Sequence, residues 1–279
     1  PPPAYLTLLP SMSNDTRASA NKRPNIIFVL TDDLGYGDLG SYGQEQIQTP
    51  CLDQMACEGM RFTQFYSGAP VCAPARCTLM TGKHNGHGRI RDNTPHGVHL
   101  HDEDYTMAEM FKEVGYRTAA IGKWGLGNHF EAGAPWRKGF DEFFGHLDQD
   151  HAHIYYTDFL WDTERVKLLW GSRGEKKEEY THDLFTARAL DYLDRSKDEE
   201  APFFLYLAYT LPHFSDYDLQ SPESHIVPDD APYTDCDYPQ VEKNYAAMVT
   251  RLDRDMGSIF AKLKELGIDE DTLVIFTSD

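Results

Sequence analysis

The sequence predicts an α/β protein with a doubly wound, mostly parallel sheet flanked by helices. Four short apolar runs, rich in β-branched and aromatic residues, alternate with segments whose apolar residues recur at three- and four-residue steps. Such runs are typical of strands covered on both faces, and the longer period is typical of helices. Strand–helix alternation along a chain favours a doubly wound sheet.

The bounds of these elements follow from their capping and turn residues. The predicted strands are residues 25–31, 116–122, 203–209 and 272–277. The predicted helices are residues 50–58, 106–114, 181 to about 193, and 240–266. Thr49 and Pro50 are a typical helix start, and Gly59 and Gly267 are typical helix ends.

Composition argues against two classes of protein. The chain has 26 Lys and Arg against 45 Asp and Glu, a formal net charge of −19, whereas nucleic-acid binding needs a basic surface. No stretch approaches the roughly 18 apolar residues of a membrane span, so none is expected. Five cysteines in 279 residues do not indicate a disulfide framework.

Charged side chains follow each of the four predicted strands. Asp32 and Asp33 follow the first, Lys123 the second, His213 the third and Asp279 the fourth. We expect them to converge, because ligands of doubly wound folds gather at the carboxyl ends of strands. The Asp32–Asp33 pair alone also fits a solvated turn. Three converging carboxylates favour a cation instead, and oxygen-only ligation suits Ca²⁺ or Mg²⁺ better than zinc.

A cysteine motif lies between the first two predicted strands. Pro74 suits a first helical turn, which places Cys72 at a helix N-terminus, where the helix dipole favours an anion. Arg76 lies one turn further on, on the same face. Taken alone, the cysteine also fits a buried packing residue.

These motifs together resemble the type I, formylglycine-dependent sulfatases, an arylsulfatase-like family of the alkaline-phosphatase-like superfamily. Cys72-x-Pro74-x-Arg76, continuing into Leu-Met-Thr-Gly, resembles the signature in which the cysteine is oxidised to Cα-formylglycine. Further stretches are similar to family segments in the family's order: residues 24–43, 116–127, 139–156 and 273–279.

The resemblance implies a metal centre and a modified residue. Asp32, Asp33 and Asp279 would ligate a divalent cation, usually Ca²⁺ with Mg²⁺ as the alternative, together with an oxygen of the formylglycine derived from Cys72. A formylglycine-generating enzyme would be the partner during maturation.

The same resemblance implies a sulfuric ester hydrolase whose substrate is an aryl or carbohydrate sulfate. Arg76 would hold the hydrated aldehyde, Lys123 would bind the sulfate, and His213 would lie beside the leaving-group oxygen. Two alternatives stay open. One is a phosphoesterase or phosphonate hydrolase of the same superfamily, and the other is an inactive pseudo-sulfatase that binds ligands with its cysteine unmodified.

A histidine-rich segment follows the lysine. His146, His151 and His153 could bind a metal, but we favour a loop that lines the substrate pocket, with His153 and Tyr155 as substrate-binding residues. Tyr155 and Tyr156 would stack on an aryl or sugar ring. A plain surface loop fits the pattern equally well.

One departure from the family pattern lies two residues after Lys123. Relatives often carry histidine there, whereas this chain has Gly125. His84, His87 and His129 are candidate replacements for the missing imidazole.

The sequence also predicts how the chain is divided into a tail and a catalytic domain. Residues 1–23 are polar and rich in Pro and Ser, which predicts a disordered tail or leader remnant, and no signal peptide is recognised in them. Residues 24–279 would be a sulfatase catalytic domain that is incomplete at its C-terminus and lacks the family's smaller subdomain. The family alone implies a secreted, periplasmic or lysosomal location.

Overall fold

A seven-stranded mixed sheet with helices on both faces makes up the described part of the chain. The computed structural model describes residues 23–93, 98–174, 176–215 and 224–279, so the tail expected at residues 1–23 lies, apart from Arg23, outside the described residues. The strands are β1 (Asn25–Asp32), β2 (Arg117–Lys123), β3 (Glu142–His146), β4 (Phe159–Asp162), β5 (Arg165–Leu168), β6 (Phe203–Pro212) and β7 (Thr272–Ser278). The helices are α1 (Pro50–Glu58), α2 (Cys72–Thr81), α3 (Met107–Glu113), α4 (Thr181–Ser196) and α5 (Gln240–Leu266).

The sheet is parallel through its centre and antiparallel at one edge. Its order is β5-β4-β3-β2-β6-β1-β7. β1 pairs in parallel with β6 and β7, and β2 pairs in parallel with β6 and β3. β4 and β5 are antiparallel to their neighbours. The predicted fold class, a doubly wound and mostly parallel α/β sheet, is confirmed.

Alternate side chains of the central strands face two separate apolar cores. Val29 and Leu207 belong to the core formed with α1, α4 and α5, whereas Leu30 and Ala208 belong to the core formed with α2 and α3. Successive residues of a strand point to opposite faces, so each central strand contributes to both cores. Every residue of β6 is buried, as expected for a strand covered on both faces.

Helix α5 begins and ends where the sequence predicts. Gly267 follows it with a φ of 66°, a left-handed conformation that glycine adopts without steric cost. Polar residues recur along its 27 positions, and no helix of the described ranges is long and apolar enough to cross a membrane.

The histidine-rich segment is a loop except at its start: His146 is the last residue of β3, whereas His151 and His153 lie in the connection that follows. Phe143 and Phe144 are buried, and β3 pairs with β2. Gly145 interrupts the apolar pattern for a steric reason: a Cβ there would lie 1.9 Å from the carbonyl oxygen of Gly122. The glycine therefore allows two backbones to approach closely.

Strand β7 is present where the sequence predicts a strand, at Thr272–Ser278. Its residues are half-buried or exposed, and Leu273 is 50% exposed. β7 lies at the end of the sheet and, within the described residues, pairs with β1 only.

We expect Leu207→Ala in β6 to lower the free energy of unfolding by about 2–5 kcal/mol, because it leaves a cavity in a packed core. Leu207 is 0% exposed, whereas Val166 in β5 is 50% exposed. Val166→Ala is the control and should cost well under 1 kcal/mol by comparison with other surface substitutions. Urea unfolding measures both. Equal losses would contradict the central position of β6.

Candidate active site

The chain turns sharply at the end of β1. Asp32 is the last residue of β1, and Asp33 has a φ of 59°, in the left-handed region. If Asp33 continued the strand, its side chain would point away from that of Asp32. Aspartate tolerates the left-handed conformation better than most residues, and the turn brings both carboxylates to one site. The backbone N–H of Asp33 also donates to Asp279 Oδ1 at 3.3 Å.

Asp32 lies at the centre of the site and is 0% exposed. Lys123 Nζ donates to its Oδ2 at 2.7 Å, and Cys72 Sγ donates to its Oδ1 at 3.2 Å. Arg76 Nη2 lies 3.6 Å from the same Oδ1. Burial alone would raise the pKa of Asp32, but Lys123 and Arg76 outweigh it and hold that pKa well below its usual value. The buried carboxylate is therefore ionised and has two buried counterions.

Arg76 connects helix α2 to the ends of the neighbouring strands. Its Nη1 donates to the carbonyl oxygen of Lys123 at 2.9 Å, and its Nη2 donates to Asp279 Oδ2 at 2.7 Å. Burial disfavours the charge of Arg76, but Asp279 more than compensates and raises the pKa of the guanidinium. Burial also raises the pKa of Asp279 to about 6, against the opposing effect of Arg76. The hydroxyl of Tyr206 also interacts with the Arg76 side chain, and this contact favours the charged guanidinium as well.

Cys72 is the first residue of α2, with Pro74 in the first turn, as the sequence predicts. It is buried, and burial followed by the charge of Asp32 raises the pKa of its thiol to about 12. The side chain is therefore a thiol at neutral pH and donates to Asp32. A cysteine in this state is neither a thiolate nucleophile nor a thiolate metal ligand.

Two stacked imidazoles cover one side of the site. The rings of His153 and His213 lie 3.8 Å apart at an angle of 11°, and His153 Nε2 lies 2.9 Å from Lys123 Nζ. His213 Nδ1 lies 2.5 Å from the carbonyl oxygen of Phe214, which can only accept, so Nδ1 carries a proton. His213 Nε2 is the nitrogen that faces Asp33, at 3.3 Å from Oδ2. Burial lowers the pKa of His213, against the opposing effect of the Asp32 charge.

Tyr155 corrects the prediction of a substrate-binding residue. It is 1% exposed, and its ring stacks on Tyr180 with centroids 5.5 Å apart. Its hydroxyl donates to the carbonyl oxygen of Thr210 at 3.1 Å and to that of His213. A buried hydroxyl needs such partners, and these bonds fix the backbone that carries His213. Tyr155 therefore has no face open to a substrate.

The acidic residues at the strand ends form a set of metal-ligating groups. One atom each from Asp32, Asp33, Cys72 and Asp279 lies within 4.8 Å of the others. Three of these atoms are carboxylate oxygens, which Ca²⁺ and Mg²⁺ prefer, and the fourth is a sulfur, which they do not. Three carboxylates against two buried cations also favour binding of a divalent cation. The set fits a hard cation if an oxygen replaces the sulfur.

The other candidate histidines lie outside the group of metal-ligating atoms, although His146 is the register partner of Lys123. His146 is 0% exposed and lies at the end of β3, where its ring packs in the interior. His129 stacks on Trp161 at 4.5 Å between ring centroids. His84 and His87 follow the C-terminal end of α2, a helix that points its N-terminus at the site. None of the proposed replacements for the histidine missing at position 125 is therefore in place.

Sequence reasoning missed two side chains that hold the site together. Asn93 Oδ1 accepts from the backbone N–H of Ala73 at 2.9 Å, and Ser278 Oγ accepts from that of Leu34 at 3.0 Å. The partners are 20 and 244 residues apart along the chain, so no local pattern could identify them.

Comparison with known proteins gives a consistent result. The sulfatase family model matches residues 24–279. The chain is 33% identical to the N-acetylgalactosamine-6-sulfatase of Canis lupus familiaris, over 98% of this chain and 53% of that protein. It is 30% identical to the arylsulfatase of Klebsiella aerogenes, over 96% of this chain and 68% of that protein. The chain thus spans about half the length of the first of these relatives and two thirds of the second.

A solved structure agrees with these sequence matches. The crystal structure of Ps i-CgsB in complex with k-i-k-neocarrahexaose superposes with a TM-score of 0.73 at 28% identity, over 92% of this chain and 58% of that chain. With a family match over nearly all of its length and this structural likeness, the chain belongs to the sulfatase family and has the alkaline-phosphatase-like fold.

Proposed function

We propose that this protein hydrolyses sulfate monoesters of aryl or carbohydrate alcohols. The observation that carries the proposal is the buried group of Cys72, Asp32, Lys123 and Arg76, which presents two cations beside an unreactive thiol. A sulfate monoester is an anion, and a chain of net charge −19 can bind it only where local cations concentrate. The similarity to named sulfatases supports the same chemistry.

We propose that Cys72 acts as Cα-formylglycine, produced by a formylglycine-generating enzyme. Its thiol is protonated and hydrogen-bonded to Asp32, so the unmodified cysteine could not attack sulfur. The hydrated aldehyde supplies a nucleophilic hydroxyl and a second hydroxyl whose deprotonation expels sulfate and restores the aldehyde. The modification also places an oxygen where the metal-ligating set has its one sulfur.

A divalent cation, Ca²⁺ or else Mg²⁺, is the proposed cofactor. Asp32, Asp33 and Asp279 would hold it together with an oxygen of residue 72. When bound, it lowers the pKa of a coordinated hydroxyl and stabilises negative charge on sulfate oxygens. The chain's own residues keep the set in place, since Arg76 holds Asp279 and Lys123 holds Asp32.

The remaining side chains bind and orient the ester. Lys123 Nζ would bind sulfate oxygens, with His153 held beside it at 2.9 Å. Arg76, whose positive charge acts on residue 72, would hold the hydroxyls of that residue. His213 Nε2 would transfer a proton to the leaving oxygen, because the negative charge of a bound ester favours the protonated ring. A secreted, periplasmic or lysosomal location is proposed from family membership alone.

The modification can be tested directly on protein produced together with a modifying enzyme. Mass spectrometry of the tryptic peptide that contains residue 72 should show an aldehyde that a hydrazide probe traps. Cys77→Ala, which removes a buried thiol in the same helix, should keep the aldehyde and sulfatase activity, whereas Cys72→Ala should lose both. Active protein with only a free thiol at position 72 would contradict the mechanism. Faster hydrolysis of nitrophenyl phosphate than of nitrophenyl sulfate would favour a phosphoesterase.

Asp33→Asn should weaken Ca²⁺ binding by at least about tenfold, because it removes one charged oxygen ligand of a site whose affinity depends on ligand charge. Isothermal titration calorimetry measures the dissociation constant. Asp102→Asn removes the same charge from an exposed surface position and controls for net charge. Equal affinities of the two variants would mean that the cation binds elsewhere.

His213→Ala should discriminate between leaving groups. A sugar alkoxide needs protonation as it departs, whereas nitrophenolate hardly does. General acid catalysis contributes roughly 10²–10⁴ in rate, so the variant should lose about that factor on a sugar sulfate and far less on nitrophenyl sulfate. Steady-state kinetics on both esters, with the exposed His87→Ala as control, provide the comparison. A uniform loss on both would assign His213 a role in binding or folding.

A further inference from the structure

The loop that carries Asp33 is tied to the end of β7 by two hydrogen bonds from its backbone. The N–H of Asp33 donates to Asp279 Oδ1 at 3.3 Å, and that of Leu34 donates to Ser278 Oγ at 3.0 Å. The side chain of Asp33 itself is 55% exposed, so packing does little to hold it. Its φ of 59° is a left-handed conformation, which persists where the surroundings impose it. The position of this carboxylate therefore depends on how firmly the backbone of the loop is held.

The next turn of the loop is closed by Asp38. The N–H of Gly35 donates to Asp38 Oδ2 at 2.7 Å, and this carboxylate belongs to the 3₁₀ turn Tyr36–Asp38 that follows. A Cβ on Gly35 would lie 2.5 Å from the same oxygen, so the carboxylate lies directly against the backbone there. Asp38 thus fixes the backbone two residues after Asp33.

A tyrosine of helix α5 holds the Asp38 carboxylate in turn. The hydroxyl of Tyr245 donates to Asp38 Oδ2 at 2.6 Å, across 207 residues of sequence. Its ring is half-buried and meets the ring of His225 edge-on, with centroids 5.2 Å apart. Burial, followed by the bond to Asp38, raises the pKa of the Tyr245 phenol, which therefore keeps its proton and donates. The charge of Asp33 raises that pKa too, so this carboxylate lies within electrostatic reach of the hydroxyl.

Helix α5 is a firm support for the loop, because its inner face is part of an apolar core. Val249 and Leu252 are 0% exposed and belong to that core. The later part of the loop has a separate support, since the N–H of Gly40 donates to Thr49 Oγ1 at 2.9 Å. Losing the tyrosine hydroxyl on α5 should therefore loosen the start of the loop without unfolding the protein.

We propose that Tyr245 is a positioning residue, which acts through Asp38 to hold Asp33 where it would ligate the divalent cation. Neither Tyr245 nor Asp38 belongs to the metal-ligating set found among the described residues, so both act through another side chain. Removing a partner that orients a metal ligand commonly weakens metal binding by about 10- to 100-fold. The physical reason is that an unsupported ligand must be ordered as the metal binds. This inference rests on the proposed cation site.

Tyr245→Phe tests the proposal, because it removes the hydroxyl and keeps the ring. Isothermal titration calorimetry with CaCl₂, on protein produced with the modifying enzyme, should give a dissociation constant about tenfold higher than that of wild-type protein. Half-maximal hydrolysis of nitrophenyl sulfate should need about tenfold more Ca²⁺, whereas kcat at saturating Ca²⁺ should change less than about twofold. Tyr105→Phe is the matched control and should change neither quantity. Tyr105 also donates to a carboxylate, Glu113 Oε2 at 2.8 Å, but at an exposed position.

Asp38→Ala and the double variant test whether the effect passes through Asp38. Both single changes break the same Tyr245–Asp38 bond, so adding Tyr245→Phe to Asp38→Ala should weaken Ca²⁺ binding no further. Asp38→Ala alone should weaken binding at least as much as Tyr245→Phe, because it also releases the N–H of Gly35. Thermal unfolding of each metal-free variant measures how much of the change is loss of stability.

The outcomes separate this inference from the proposed function. An unchanged dissociation constant for Tyr245→Phe, an equal change in Tyr105→Phe, or additive losses in the double variant would overturn the role of Tyr245. A lower Tm of metal-free Tyr245→Phe with an unchanged dissociation constant would also overturn it, because the bond would then be purely structural. Calorimetry needs no turnover, so wild-type protein that binds Ca²⁺ but hydrolyses no sulfate ester would overturn the proposed function alone. Wild-type protein that binds no divalent cation would overturn the proposed cofactor and this inference together.

Discussion

The ionised carboxylate of Asp32, which is completely buried, is the constraint on which the rest of the site depends. A buried charge is tolerated only when it is paired and hydrogen-bonded, and removing one partner of such a group costs about 3–5 kcal/mol. Lys123 and Cys72 donate to it, and Arg76 lies close by. Strand β1, the end of strand β2 and the start of helix α2 therefore meet at one point in the folded protein.

The need to pair every buried charge also explains the contacts of Arg76. Arg76 is buried and must be satisfied in turn, and Asp279 together with the carbonyl oxygen of Lys123 provides its partners. Strand β7 is thereby connected to the site although its side chains are only half-buried. The pairing of β7 with β1 and the contact with Arg76 together fix the position of the last carboxylate. The remaining excess of negative charge would favour the proposed divalent cation.

The thiol of Cys72 is poorly suited to the charged groups that surround it. Burial and Asp32 raise the pKa of Cys72 to about 12, so its sulfur offers no negative charge to a hard cation or to an ester. An oxygen at the same position would suit every neighbouring group, because it could bind a cation together with the carboxylates and interact favourably with the buried guanidinium and ammonium groups. The chemistry of the surroundings and the Cys72-x-Pro74-x-Arg76 motif thus favour the same modification from independent directions.

The sequence by itself determined the fold class, the strands β1, β2, β6 and β7 and the residues that follow them, because apolar periodicity and strand-end position are local properties. It also identified Cys72 and Arg76 as neighbours on one helical face, since residues four apart share a face. The tertiary structure alone decided that Tyr155 supports the backbone of His213 instead of facing a substrate, and that Gln149 fills the space above Gly125. Both depend on where a turn after β3 folds back on the sheet. Contacts between segments distant in sequence leave no periodic pattern along the chain, and only packing in three dimensions specifies them.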